Sequence, residues 1–343
     1  MKTIPFKTKL LYFFCCTAIA VSTSACSMQE ELFDLADGTN MLLAIGYDGS
    51  TTKIISLEPD LGHFHEYDTG LAMVPFPGAV AHAHGKILWF LVGSEIFKWK
   101  LEDSSTPVMV LSMGTIYVFG RSGDGNIIAC FGSDVYSISE DGTYSIIGTI
   151  GAPVTFFRDV FSRRDGGGFI IDQSSGGMYT VSSGSIALYA SSVFTPATSN
   201  QSFLKKVNGE FYVGTSDGFL YRDFNSNGTN FSLAITQISP LSGANSISYC
   251  VISSSLWYIA YQTATNADVV VMRYDNGVAS PVISLPTTGM AHVYLCHYEG
   301  DKLVLGLGNT ASAQGLYVID AGKKSCTLLS GSYRIYGLSR VDQ

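Results

Sequence analysis

Six basic residues recur at one place in successive segments of the chain: Arg121, the neighbours Arg163 and Arg164, the neighbours Lys205 and Lys206, and Arg340. Each group stands where a first hydrophobic run turns toward a second, and His82, His84 and His297 fall near the same place in two further segments. Cations gathered at one mouth of a channel form an anion-binding geometry, since converging field lines raise the local ligand concentration. Arg adds bidentate grip on carboxylate or phosphate. The plain alternative is charge placed at strand ends for solubility and to blunt edges. His63 and His65, like His82 and His84, are two residues apart, which puts both imidazoles of a pair on one face of a strand, where a metal could bridge them. No carboxylate stands at matching spacing, so no metal is assigned to them.

The run Asp223-Phe224-Asn225-Ser226-Asn227-Gly228 resembles the start of an EF-hand calcium loop, with Asp223, Asn225 and Asn227 as alternate oxygen ligands. Ala234 stands where the bidentate Glu belongs, and an Asn-Gly hairpin turn explains the same residues. The sequence contains no phosphate-binding glycine loop and no His-Glu-x-x-His. No catalytic residue and no cofactor is therefore assigned. None of the seven cysteines forms a Cys-x-x-Cys pair. Cys250 and Cys296 occupy near-equivalent points of neighbouring segments, which allows a disulfide, but small buried thiols are the plainer expectation.

The elements that position these residues come from an internal repeat. A short hydrophobic strand recurs seven times, with second residues Ile55, Phe97, Tyr136, Tyr179, Tyr221, Met272 and Tyr317, spaced by 42, 39, 43, 42, 51 and 45 residues. A period of roughly 40 to 50 with four short strands per copy predicts an all-β, seven-bladed β-propeller. The third unit parses as strands over 115–120, 126–131, 135–140 and 144–149, joined by Gly- and Asp-bearing turns. Residues 40–68 hold three strands without a first, and 333–338 match the missing one. Blade one is thus expected to close with the C-terminal strand innermost, leaving no open edge between the first and last units. A composition of 46% hydrophobic and 14% charged residues fits strands buried on both faces.

Loops between second and third strands are long on blades one, six and seven, which adjoin in such a ring. Long loops on a rigid scaffold are where recognition resides, and Tyr47, Tyr258, Tyr261, Asn266 and Asn309 are the contact residues expected there.

The N-terminus reads separately. Lys2, Lys7 and Lys9 precede an apolar stretch over 10–21 and the small residues 22–25, the pattern of a signal peptide covering 1–25. Ser24-Ala25-Cys26 resembles the lipobox of bacterial lipoproteins, with Thr23 departing from the usual Leu. That resemblance implies acylation of Cys26 and, with Ser27 next, an outer-membrane destination. Residues 26–39 then serve as a tether and 40–343 as the propeller. Ordinary cleavage after Ala25, giving a secreted or periplasmic protein, is the alternative. The mature chain has 17 Lys plus Arg against 28 Asp plus Glu, net −11, which disfavours nucleic acid.

The repeats, above all Gly315-Leu316-Tyr317-Val318-Ile319-Asp320, are similar to the Tyr-x-Ile-Asp blades of bacterial extracytoplasmic seven-bladed propellers. The expected function is a monomeric, membrane-tethered, non-catalytic binding or assembly module for a protein, peptide or anionic glycan. The competing class is a propeller-type hydrolase or lactonase, which would gather carboxylates and histidines at the channel mouth.

Overall fold

The computed structural model describes residues 41–57, 61–75, 81–84, 87–100, 106–114, 116–122, 125–150, 161–162, 168–171, 178–182, 184–190, 201–207, 210–215, 220–223, 231–235, 244, 246–308 and 312–341. Residues 1–40, which include the expected signal peptide, Cys26 and the expected tether, lie outside them.

Among the described residues the strands form seven four-stranded antiparallel sheets. The first sheet has the order β28 (Arg334–Val341), β1 (Met41–Tyr47), β2 (Thr52–Leu57), β3 (Phe64–Asp68). The second runs β4 (Ala81–His84), β5 (Ile87–Val92), β6 (Glu95–Lys100), β7 (Val108–Ser112), and the third β8 (Ile116–Arg121), β9 (Ile127–Phe131), β10 (Asp134–Ile138), β11 (Tyr144–Thr149). The fourth holds β12 (Phe161–Ser162), β13 (Gly168–Ile171), β14 (Met178–Ser182), β15 (Ser185–Ala190). The fifth holds β16 (Gln201–Val207), β17 (Glu210–Thr215), β18 (Leu220–Asp223), β19 (Phe231–Ile235). The sixth is β20 (Ser246–Val251), β21 (Leu256–Gln262), β22 (Val269–Asp275), β23 (Val278–Leu285), and the seventh β24 (His292–Glu299), β25 (Lys302–Gly308), β26 (Gly315–Asp320), β27 (Ser325–Ser330). Six sheets follow chain order. The first takes its leading strand from the other end of the chain, with Leu42 opposite Arg340 and Ala44 opposite Leu338.

First strands of successive sheets lie against one another, in the order β8, β12, β16, β20, β24, β28, β4. At the seam of sheets six and seven the ladder-free edge is partly satisfied: Val293 N–H donates to Ser246 Oγ at 3.1 Å and Leu295 N–H to Ser248 Oγ at 2.9 Å. Serine hydroxyls thereby occupy backbone donors that a buried strand edge would otherwise leave unpaired. The core is divided among the seams between sheets. Leu43, Ile45 and Ile54 meet Leu88 and Phe90 between sheets one and two, and Tyr258 and Val271 meet Val293 and Leu305 between sheets six and seven. Both faces of central strands are consumed in this way, and β2 and β5 are buried along their whole length. This matches the low charge content.

The repeated hydrophobic strand is the third of each sheet, and its second residue marks a structural irregularity. In sheets two to seven the pairing of third with outer strand shifts immediately before Phe97, Tyr136, Tyr179, Tyr221, Met272 and Tyr317. Each shift is a β-bulge that gives the outer strand an extra residue and more twist, turning its edge away from neighbours. Sheet one has the aliphatic Ile55 at this place and an unbroken register from Lys53 to Leu57.

Candidate functional site

Gln262 closes β21 where the long loop to β22 begins, and it is wholly buried. A buried amide is tolerable only with its hydrogen bonds made, and here they are. Its Nε2 donates to Ala267 O at 2.9 Å, Thr287 Oγ1 at 2.8 Å and Gly289 O at 3.0 Å, while its Oε1 accepts from Ala291 N at 2.8 Å. One side chain thus ties the loop of sheet six to the connection between β23 and β24. Asn266 adds a second tie. It adopts a left-handed φ of 63°, which Asn tolerates. From there its N–H reaches Gly289 O at 3.1 Å and its Oδ1 accepts Gly289 N–H at 2.6 Å.

The network continues into sheet seven. Thr288 N–H donates to Ser312 Oγ at 2.7 Å, Tyr317 O–H to Ala313 O at 3.1 Å, and Gln314 Nε2 to Gly331 O at 3.2 Å. Gly331 leads to Tyr333, whose hydroxyl donates to Glu66 on β3. Glu66 belongs to an ion cluster in sheet one, where Lys53 Nζ lies 2.7 Å from Asp68, 3.4 Å from Asp48 and 3.5 Å from Glu66. The Lys53 side chain is only 8% exposed. Burial opposes its charge, but Asp68 and Asp48 outweigh that and hold its pKa above the ordinary value. Asp68 is shifted down by the Lys53 hydrogen bond and by Gly70 N–H. Asp48 is shifted down by Thr51 and Ser50, whose N–H groups donate to its Oδ1 at 2.8 and 2.7 Å, closing the loop between β1 and β2. Burial pushes the Tyr333 phenol up, with Glu66 adding to it. One polar lattice therefore runs across one end of sheets six, seven and one.

This is the sector in which long loops were expected, but the side chains that build it are mostly others. Asn266 is part of it. Tyr47 is half-buried against the seam of sheets one and two. Tyr258 and Tyr261 are core residues, 0% and 5% exposed, and are not contact residues. They lie within β21 on opposite faces, toward sheets seven and five, and the Tyr258 hydroxyl donates to Asp301 at 3.4 Å, beyond the start of that strand rather than at its loop. Asn309 lies outside the described residues. Lys53 precedes and Gln262 follows a hydrophobic run, where a polar residue ordinarily marks the start of a turn. The readable signal was a polar residue at a buried position.

Arg121 ends β8, Lys205 and Lys206 sit near the end of β16, and Arg340 near the end of β28. These four share the same end of leading strands, within strands rather than in the turns expected for Arg121, Lys205 and Lys206. Arg163 and Arg164 follow β12 and lie outside the described residues, as do Asn225 and Asn227, while Asp223 ends β18. Among the described residues, no group of three or more His, Cys, Asp or Glu side chains is placed to hold a metal. Cys250 and Cys296 are thiols that enter different seams, Cys250 with the sheet six to seven cluster and Cys296 with the seven to one cluster. Burial pushes the Cys326 thiol up to about 11.

Solved structures share this architecture at low sequence identity. YCF48 bound to D1 peptide is 10% identical, with a TM-score of 0.53, over 79% of this chain and 94% of that one. The C-terminal WD40 domain of Sif2 is 12% identical at 0.51, over 86% and 82%, and the computationally designed Ika8 protein is 12% identical at 0.52, over 88% and 91%. The fold is that of a β-propeller. No protein-family description and no curated protein sequence matches the propeller. The likeness at such identities concerns fold alone.

Proposed function

We propose that this chain is a non-catalytic binding propeller whose seven sheets are seven blades of one ring, closed by β28 in blade one. We further propose that it is held at an extracytoplasmic, outer-membrane surface through an acylated Cys26. Its recognition surface is the loop sector of blades six, seven and one, and its partner there is a protein or peptide. The observation that carries this reading is the continuous lattice from Gln262 to Asp48. A loop held by buried hydrogen bonds loses little conformational entropy on binding, so affinity is not spent on ordering it. The lattice leaves Thr263, Ala264 and Thr265 exposed at its tip. YCF48, a propeller of similar form, has been solved bound to a peptide, which supports a peptide partner here. At the opposite end, Arg121, Arg163, Arg164, Lys205, Lys206 and Arg340 are proposed as contacts for an anionic glycan or acidic segment.

A photo-crosslinking amino acid tests the loop sector directly. Placed at Thr265 in cells that express the protein, it is expected to yield a discrete adduct that the same residue at Val278, on the outer strand of sheet six, does not. Identical adduct patterns from both positions contradict the assignment.

A further inference from the structure

The outer strands β7, β11, β15, β19, β23 and β27 contain no Asp, Glu, Lys or Arg. An uncharged strand edge is a template for another chain, and proteins ordinarily blunt such edges with charge as well as with bulges. Only β3 is blunted by charge, through Glu66 and Asp68. Opposite the bulge-marking residue of the third strand, sheets two to seven carry Met109, Ile146, Leu188, Leu233, Pro281 and Leu328. Sheet one carries Glu66 there, opposite Ile55. An apolar stripe thus follows the perimeter and stops at sheet one.

The stripe is widest on three consecutive sheets. Val108 and Met109 on β7, Tyr144 and Ile146 on β11 and Leu188 on β15 are 62, 51, 50, 56 and 57% exposed. Their strands adjoin. A Cβ on Gly142, beside β11, would lie 3.7 Å from Val110 of β7, and one on Gly148 of β11 only 2.1 Å from Ile186 of β15. Five such side chains, each at least half exposed, present apolar surface on the order of a few hundred Å², the size of a monomer's largest patch. A stable interface takes about 800 Å² from each partner. Strand backbone and the flanking Ser and Thr residues of the same strands supply area of the kind still needed.

We propose that the outer strands β7, β11 and β15 form a docking surface for a second copy of this chain, patch against patch about a twofold axis. A twofold interface must be self-complementary. In a chain of net charge −8 most surfaces of two copies repel, whereas the three strands of this face carry no charged residue of their own. The proposal departs from the monomer expected from sequence and is independent of the loop sector, which uses other sheets.

Sedimentation of the full chain carrying Cys26→Ala, in which no acyl group can drive association, tests it across a hundredfold range of concentration. A reversible monomer–dimer equilibrium is expected. Ile146→Lys and, on a separate strand, Leu188→Lys should each weaken it at least tenfold, with melting temperature checked in both. Val278→Lys, at a site 67% exposed on β23, should leave it unchanged. A protein that sediments as a monomer throughout overturns the proposal and leaves the patch to a different protein. So does a dimer that survives both substitutions in folded variants.

Discussion

Replacing Gly306 or Gly308 by Ala probes the seam between β25 and the C-terminal strand β28, and the two glycines should respond differently. Ile335 of β28 is fully buried there. A Cβ on Gly306 would stand 2.7 Å from Ile335 Cγ2, a side-chain atom, whereas one on Gly308 would stand 2.0 Å from the Ile335 carbonyl oxygen and 3.0 Å from its carbon. Overpacking of a side chain costs about 1–3 kcal/mol, and Ile335→Ala alone should cost about 2–5 kcal/mol. In Gly306→Ala with Ile335→Ala the new methyl enters space the truncation vacates, so the pair should be less destabilising than its sum by about 1–2 kcal/mol. Gly308→Ala meets backbone, which no truncation removes. It should cost about 3 kcal/mol or more and combine additively with Ile335→Ala. Equilibrium urea denaturation of the single and double variants, compared at constant m, reads both cycles. Equal coupling in the two cycles, or none in the Gly306 cycle, would show that β28 does not lie against β25 in this register and would remove the support for closure at blade one.

Four further outcomes are expected. Gln262→Glu sets an oxygen against Ala267 O and Gly289 O, so burial and those dipoles should raise the new carboxyl's folded pKa. Its stability is then retained below an unfolded pKa of about 4.3 and lost as pH rises through the folded value, by about 3 kcal/mol more at pH 7 than at pH 4, and a pH-independent deficit in urea melts would contradict this. Lys53→Met should cost only about 1–2 kcal/mol, less than a fully buried pair, because Asp68 is 55% exposed. It should also let the Asp68 carboxyl titrate nearer its ordinary value by NMR. Since that pKa is depressed in the fold, its stability is present above the unfolded value and lost as pH falls through the folded one, so the variant's acid limb should be shallower; an unmoved Asp68 titration counts against the cluster. Lys205→Ser with Lys206→Ser should preserve folding and weaken salt-sensitive binding to heparin, and wild-type protein with no such binding rejects the anion surface. Cys26→Ala should abolish palmitate labelling and membrane partitioning, and equal partitioning of both forms rejects the anchor.

Much of the architecture was legible because it depends on local patterns that recur. The strands expected in the third unit agree with β8 to β11 within two residues, and the lone strand over 333–338 appears as β28 beside β1. The period was visible through Phe97, Tyr136 and their counterparts, but its cause was not. A bulge is a relation between two strands, and no single strand displays it. The loop sector was legible as loop length alone. Tyr258 and Tyr261 were expected as contacts because they border a long loop, but β21 is buried on both faces, so they pack toward sheets seven and five.

By itself the sequence determined the repeat, the hairpin turns and the pairing of chain ends, since hydrophobic period and turn chemistry act over a few residues. Tertiary structure decided which polar residues matter. Gln262 acquires its role from Gly289 and Ala291, and Lys53 from Asp48 and Asp68. Tyr333 acquires its role from Glu66, 267 positions away. Burial turns each of these into a group that must find partners, and which partners are in reach depends on how separate sheets come together, which no local pattern encodes.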